Sequence, residues 1–299
     1  MSDDFAFFLL LMSNGVLIGL MYSLIALGFV LVYKATDAVN FAQGEFVMIA
    51  GFVVAGALMV WGAPLWIAIP LALAGMIGFG FALERAMLRK LIGRPVISVV
   101  MATIGLAAIL RGLGPFTIFQ GTKPLPLPIR DEPFMLGPLF IPPIQLLGAA
   151  VSLAFLGGFG WFFLRSRKGI AMRAVADNQQ VAMAMGIDVE RYFGLAWAMT
   201  GIVSALGGVL WGNLLGVDVN LALVGFKVFP VVILGGLDSI PGAVVGGLIV
   251  GLVENVAAGY IDPYVGGGTK DFAPYVLIDR KSTRLNSSHI QKSRMPSSA

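Results

Sequence analysis

Apolar residues run along this chain without alternating. Residues 5–32, 46–83 and 144–164 are nearly unbroken stretches of Leu, Ile, Val, Ala, Phe, Met and Gly. Each reaches or passes the ~20 residues that an α-helix needs to cross hydrocarbon. A membrane β-barrel would show segments of about ten residues that alternate apolar and polar positions, and these runs do not alternate. The pattern predicts an all-α, polytopic transmembrane helix bundle of about eight spans. Six of them are expected near residues 5–32, 42–60, 65–83, 96–119, 144–164 and 193–215. A broken, glycine-rich pair follows. Its first part, 226–237, is too short to span at about 1.5 Å per residue. Asp238, Ser239 and Pro241 then interrupt it before 243–258 resumes. This reads as two half-helices, or as one short and one full span. Non-helical backbone at membrane depth survives only where it is buried in protein or lines a wet cavity.

Composition agrees with the pattern. Hydrophobic residues make up 58% and charged residues 12%, against roughly 45–50% and about 25% in a soluble domain. Basic residues gather in two loops, at Arg85, Arg89, Lys90 and Arg94, and at Arg165, Arg167, Lys168, Arg173 and Arg191. The positive-inside rule puts both loops in the cytoplasm. Residues 34–40 then lie inside, the N-terminus outside, and 120–143 outside, where Lys123 and Arg130 are offset by Asp131 and Glu132. The N-terminus carries Asp3 and Asp4 and no basic residue, so the first segment reads as a retained span rather than a secretory signal.

The chain divides at Asp279. Residues 1–278 form the transmembrane domain, and 279–299 read DRKSTRLNSSHIQKSRMPSSA, a polar stretch that supplies the whole net charge of +4. This tail resembles the in-frame translation of sequencing-adapter DNA and reads as non-native. The other reading is a disordered basic tail lying on anionic lipid.

Ionisable residues near the spans are costly enough to be site candidates by default: Glu45, Arg111, Asp218, Lys227 and Glu254. Glu45 and Asp218 lie close to predicted span ends, where interfacial solvation accounts for them. Arg111 lies deeper and needs an acidic or carbonyl partner, for which Glu254 is a candidate. Glu45, Arg111, Gly235, Gly236 and Glu254 are the candidates for a translocation path. Glycines recur at four-residue spacing, at Gly208, Gly212 and Gly216 and at Gly242 and Gly246, with Gly247 and Gly251 beside them. Such faces chiefly let helix backbones approach in lipid.

The loop 165–191 holds two short helix signals. Asp177 and Asn178 are good N-caps between them, and Gly186 stands at a C-cap position. A short helix pair with an Ala- and Met-rich face suits docking into a groove on another protein. An ordinary amphipathic connecting loop would look the same.

The segments NGVLIGLMYSLIALGFVLVYKATDAVNFAQGEF (14–46), RKGIAMRAVADNQQVAMAMGID (167–188) and FKVFPVVILGGLDSIPGAVVGGLIVGLVE (226–254) occur in this order. Together they resemble the branched-chain amino acid ABC transporter permeases of the LivH type, over residues 5–278. The resemblance implies a multi-pass protein of the bacterial inner membrane. It also implies partners: two cytoplasmic ATP-binding subunits, a second related permease and a periplasmic substrate-binding protein. The stretch 173–186 would then couple to an ATPase, through Arg173, Ala174, Asn178, Ala182 and Gly186. Family members complete the last span before a short basic end, and here that end is replaced.

The chain itself lacks the parts for catalysis. No G-x-x-x-x-G-K-[ST] phosphate cradle occurs, and Gly266-Gly267-Gly268-Thr269-Lys270 lacks its spacing. There is no cysteine, and the single histidine, His289, lies in the tail. The expectation is a non-enzymatic permease subunit without cofactor, metal or nucleic-acid partner. The rival reading is an ion-coupled secondary transporter of small neutral solutes, which would need a deep acidic relay that only Glu254 could supply.

Overall fold

The helices follow from the apolar runs, and their boundaries from the polar residues that interrupt them. The computed structural model describes residues 3–92, 94–114, 121–129, 132–137 and 139–279. The first helix, α1, spans Asp3–Thr36. After it come α2 (Gln43–Met59), α3 (Leu65–Ala86) and α4 (Val96–Leu113), with a 3-10 turn at Leu88–Leu91 between the last two. A hairpin of β1 (Phe134–Leu136) and β2 (Leu139–Ile141) pairs Phe134 with Ile141. Then follow α5 (Pro143–Arg165), α6 (Arg167–Asp177), α7 (Gln179–Ala184) and α8 (Val189–Leu215). The chain continues through a 3-10 turn at Val219–Leu223, α9 (Val224–Gly235), α10 (Ile240–Tyr260) and α11 (Asp262–Val265). A last helix, α12, covers residues 269–279. Six of these helices are long and apolar enough to cross a membrane, and α2 and the segment Val219–Gly235 are shorter apolar helices. Arg130, Asp131 and residues 280–299, which include most of the tail, lie outside the described residues, as do residues 115–119 of the span expected at 96–119.

The sequence pattern shows one broken region, and the structure has two. Residues 42–60 read as a full span from the cytoplasmic side, yet α2 begins near the middle of the bundle. The Gln43 side chain donates to Ser204 Oγ at 3.1 Å, and Ser204 lies near the middle of α8. The Phe41 N–H bonds Thr103 Oγ at 3.3 Å, in the middle of α4. Between α1 and α2 the chain therefore turns back into the bundle. Asp37 sits at φ 54° at the start of that turn, a left-handed conformation that Asp tolerates better than most residues. Asn40 and Gln43 are fully buried, and the Asn40 carboxamide accepts the Ala42 N–H and donates to Gln43. These side chains satisfy the irregular backbone where water is absent.

The second break is the predicted one. After α8 the chain passes Val217, whose backbone pairs with Lys123, then the 3-10 turn capped by Asp218, whose side chain accepts from the N–H groups of Asn220 and Leu221. Of the two forms allowed by the sequence, the short helix followed by a full span is the one found, as α9 and α10. At mid-bundle the starts of α2 and α9 touch through glycines. A Cβ on Gly225 would lie 2.7 Å from Gly44 Cα.

Glycine seams close the rest of the bundle. A Cβ on Gly19 would lie 2.6 Å from the Gly247 carbonyl, and one on Gly251 2.6 Å from Gly19 Cα. Ser23 Oγ bonds the Gly19 carbonyl at 2.8 Å on the same α1–α10 contact. A Cβ on Gly208 would lie 2.7 Å from both Val47 O and Gly51 N on α2, whereas Gly216 falls just past α8 as its C-cap. In lipid such approach supplies the packing that holds helices together.

The two basic loops lie at one end, as the charge pattern requires. Arg89 binds both carboxylate oxygens of Glu84, at 3.0 and 3.1 Å, and Glu190 at the start of α8, at 2.9 Å. Glu84 is almost fully buried, so its charge depends on this guanidinium.

Two stability outcomes follow. Gly247→Leu forces α1 from α10 and is expected to lower the melting temperature in detergent by several degrees or abolish folding, since overpacking costs about 1–3 kcal/mol. Gly75→Ala, where a Cβ meets nothing, leaves the melting temperature unchanged or raises it. Arg89→Ala strands Glu84 and lowers it, whereas Arg89→Ala with Glu84→Leu recovers most of the loss. Equal melting of the single and double variants would show that the pair does not hold the loops.

Candidate functional site

Two regions carry chemistry, one at mid-bundle and one at the cytoplasmic end. The mid-bundle region forms where α2 and α9 begin. Glu45, in the first turn of α2, binds Arg111 of α4 at 2.6 Å. The partner of Arg111 is thus Glu45, not Glu254. Helix lengths alone could not give this, because the break before α2 brings Glu45 to the depth of Arg111. The Glu45 side chain is 4% exposed and that of Arg111 40%. The guanidinium also stacks over the Phe226 ring, 6.0 Å from its centre.

Beside this pair opens a cleft of about 80 Å³. Phe29, Phe41, Phe226 and Phe229 wall it, and Gly44, Glu45, Ala222 and Gly225 floor it. The Phe41 and Phe229 rings lie 5.9 Å apart, and those of Phe29 and Phe229 6.5 Å apart. None of these phenylalanines stood out in the sequence, since each belongs to an ordinary apolar run. Nearby, Lys227 pairs with Asp271 at 2.6 Å, with both side chains partly or largely exposed. Tyr275 Oη donates to the Phe226 carbonyl at 2.9 Å.

The other path candidates lie elsewhere. Glu254 is 1% exposed and takes a 2.8 Å hydrogen bond from Tyr22 Oη. Tyr22 in turn stacks on Trp211 at 5.0 Å. The carboxyl group is held in side-chain packing between α1, α8 and α10, away from the cleft. Gly235 ends α9 against the Gly242 backbone, and Gly236 adopts φ 93° in the turn to α10. Both glycines shape the turn between α9 and α10, Gly235 by leaving room for the backbone approach and Gly236 by taking a positive φ. Asp218 caps the outer 3-10 turn and accepts from Thr122 Oγ1 at 2.6 Å.

The cytoplasmic region is built from α6 and α7. Ser166 caps α6 by accepting the Gly169 N–H at 2.8 Å, and Asn178 caps α7 by accepting the Val181 N–H at 3.0 Å. Asp177 is the last residue of α6 rather than a cap. Gly186, at φ 80°, ends the pair while the Ile187 N–H bonds the Ala182 carbonyl at 3.0 Å, a Schellman closure. The residues expected to couple to an ATPase separate by burial. Ala182 is 3% exposed and packs with Val175, Val189 and Phe193, so it faces the body rather than outward. Arg173 reaches the Leu164 carbonyl at 3.3 Å and lies over the Phe163 ring. Ala174 and Gly186 are exposed, and so are Val181, Met183 and Met185. The Gln179 side chain donates to the Ala35 carbonyl at 3.0 Å, which ties α7 to the end of α1.

The arrangement brings charges and apolar faces together. Among the described residues no three His, Cys, Asp or Glu side chains group to hold a metal ion. What it offers is a polar pair in an apolar cleft and an apolar face among arginines.

Known proteins resemble this chain over most of its length. The permease protein LivH of the high-affinity branched-chain amino acid transport system of Escherichia coli K12 is 31% identical, over 93% of this chain and 94% of the relative. The permease protein BraD of Pseudomonas aeruginosa is 31% identical over 82% of this chain and 84% of its own length. The D-allose permease AlsC of Escherichia coli K12 is 28% identical over 72% and 73%, so relatives of this chain include a permease named for a sugar. The family model described as the permease component of the branched-chain amino acid transport system matches residues 11–274. With that match, the multi-pass helical bundle and the bracing of its two basic loops, the chain belongs to the family of branched-chain amino acid transport system permease components.

Proposed function

We propose that this permease is the membrane-spanning subunit of an ATP-driven importer in the bacterial inner membrane, carrying branched-chain or related small amino acids. The observation that carries the reading is the exposure of charged side chains on the helices of the bundle. Arg111 and Lys227 each leave about a third or more of their side chains uncovered, and their partners Glu45 and Asp271 lie on the same face. Arg111 stands in the last turn of α4 rather than deep within it, and a guanidinium that faced hydrocarbon there would cost up to about 2.5–3.5 kcal/mol. This face therefore belongs against protein or water. A second related permease closing over it would leave a path between the two chains, with Glu45 and Arg111 on its wall. LivH and BraD among the relatives named above are permeases of branched-chain amino acid transport systems, which supports the substrate class.

Energy enters from the other end. Two cytoplasmic ATP-binding subunits are the partners for the α6–α7 pair, where Met183, Met185 and Val181 stand exposed beside Ala174. An apolar helical face outside the bundle suits burial in a groove of another protein. A periplasmic substrate-binding protein would deliver the ligand at the opposite end. ATP binding moves α6 and α7, which are tied to α1 through Gln179 and to α8 through the Val175, Ala182, Val189 and Phe193 cluster. The motion reaches the broken helices α2 and α9 and opens the path alternately to each side.

Affinity purification from the native membrane tests the reading. A P-loop ATPase is expected to co-purify with the unmodified chain. Met185→Asp, Met183→Asp and Ala174→Glu should each cut the recovered ATPase about tenfold or more, because an uncompensated charge enters a desolvated contact. Membrane insertion and the melting temperature should stay as they are. A stable permease that never carries an ATPase would instead indicate an ion-driven transporter.

A further inference from the structure

The cleft beside Glu45 has a composition that is unusual for a structural ion pair. A carboxylate and a guanidinium meet at 2.6 Å, and the space next to them is walled by aromatic rings. Among the residues lining that space, Glu45 bears the one polar side chain. A pair kept only to join α2 to α4 would need no open apolar cleft at its side. The space enclosed is about 80 Å³, less than the ~300–1,000 Å³ of fully formed small-molecule sites, so an amino acid is admitted only as the Glu45–Arg111 pair parts.

Resting on the permease reading above, we infer that this cleft is where the passing substrate is held, by exchange of charge partners. A zwitterionic amino acid enters between Glu45 and Arg111. Its ammonium pairs with the Glu45 carboxylate, and its carboxylate with the Arg111 guanidinium. Its aliphatic side chain lies among Phe29, Phe41, Phe226 and Phe229. Every charge that loses a partner gains another, so no uncompensated charge is left at low dielectric. A cation or an anion would satisfy one residue and strand the other. A neutral amide or urea has no charges to separate the pair. A polar side chain would find no hydrogen-bonding partner on the aromatic walls. Because the protein's own pair must open for the substrate to enter, the hold is weak, as passage requires. When substrate leaves, Glu45 and Arg111 close on each other again.

The test is uptake of radiolabelled L-leucine by the assembled importer in proteoliposomes, measured with and without ATP. ATP-dependent uptake by the unmodified importer establishes the reading on which this inference rests, and its absence overturns both. Against that baseline Glu45→Gln and Arg111→Gln are each expected to lower uptake at least about tenfold. The decisive variant is Glu45→Gln with Arg111→Gln. It leaves no charge unpaired, so a purely structural pair predicts recovery of uptake to within about twofold of the unmodified protein. Exchange of partners predicts that uptake stays about tenfold or more below it, while co-purification of the ATPase is retained. Recovery in the double variant, or single variants within about twofold of the unmodified importer, overturns the proposal.

Discussion

The contact of Gly44 with Gly225 is the constraint on which the rest of the bundle turns. Two helices begin there, near the middle of the membrane-spanning mass, and their backbones approach until a Cβ on Gly225 would stand 2.7 Å from Gly44 Cα. Neither helix could begin at that depth if its flanking chain were left unbonded, because hydrocarbon offers no partner for a free N–H or carbonyl. The Asn40, Gln43, Thr103 and Ser204 side chains meet that demand before α2. Asp218 meets it ahead of α9. Once the two starts are fixed, Glu45 is carried to the depth of Arg111 and Phe226 to the guanidinium. The cleft is a consequence of the breaks.

The two ends of the molecule are tied to this centre in different ways. At the cytoplasmic end, α7 is bonded to the end of α1, Arg173 to the end of α5, and Arg89 joins the end of α3 to the start of α8. Each tie crosses from a surface element to a long helix. A displacement of α6 and α7 is therefore shared by helices that reach the centre, rather than absorbed in a loop. At the opposite end the described residues are tied by the backbone bridge between Lys123 and Val217, the Thr122–Asp218 hydrogen bond and a short hairpin.

The glycine seams explain how a bundle with so few polar contacts holds together. Apolar side chains gain nothing by leaving lipid for each other, so close backbone packing has to supply the attraction. Gly19, Gly247 and Gly251 do this between α1 and α10, and Gly208 does it between α8 and α2. Gly235 and Gly242 make a comparable contact where α9 turns into α10. Residues that suggested a path by the absence of side chains are, in the folded chain, places where two backbones need the room.

The sequence alone determined the class of this protein and the grouping of its basic loops at one end, because hydrocarbon length and charge pattern act on local runs of residues. The helices α1, α3, α5, α8 and α10 fall close to the apolar runs, and Asn178 and Gly186 mark the ends of α7 as their side-chain chemistry requires. The break at Asp238 to Pro241 was legible from its polar residues and its proline. The break before α2 was not, since DAVNFAQGEF contains no proline and its Asn and Gln look interfacial until Ser204 and Thr103 are brought beside them. The Glu45–Arg111 pair, the four phenylalanines of the cleft and the inward turn of Ala182 were likewise decided by tertiary structure. Each depends on contacts between residues far apart in the chain, and the period of a single helix says which face is apolar but not what that face will meet.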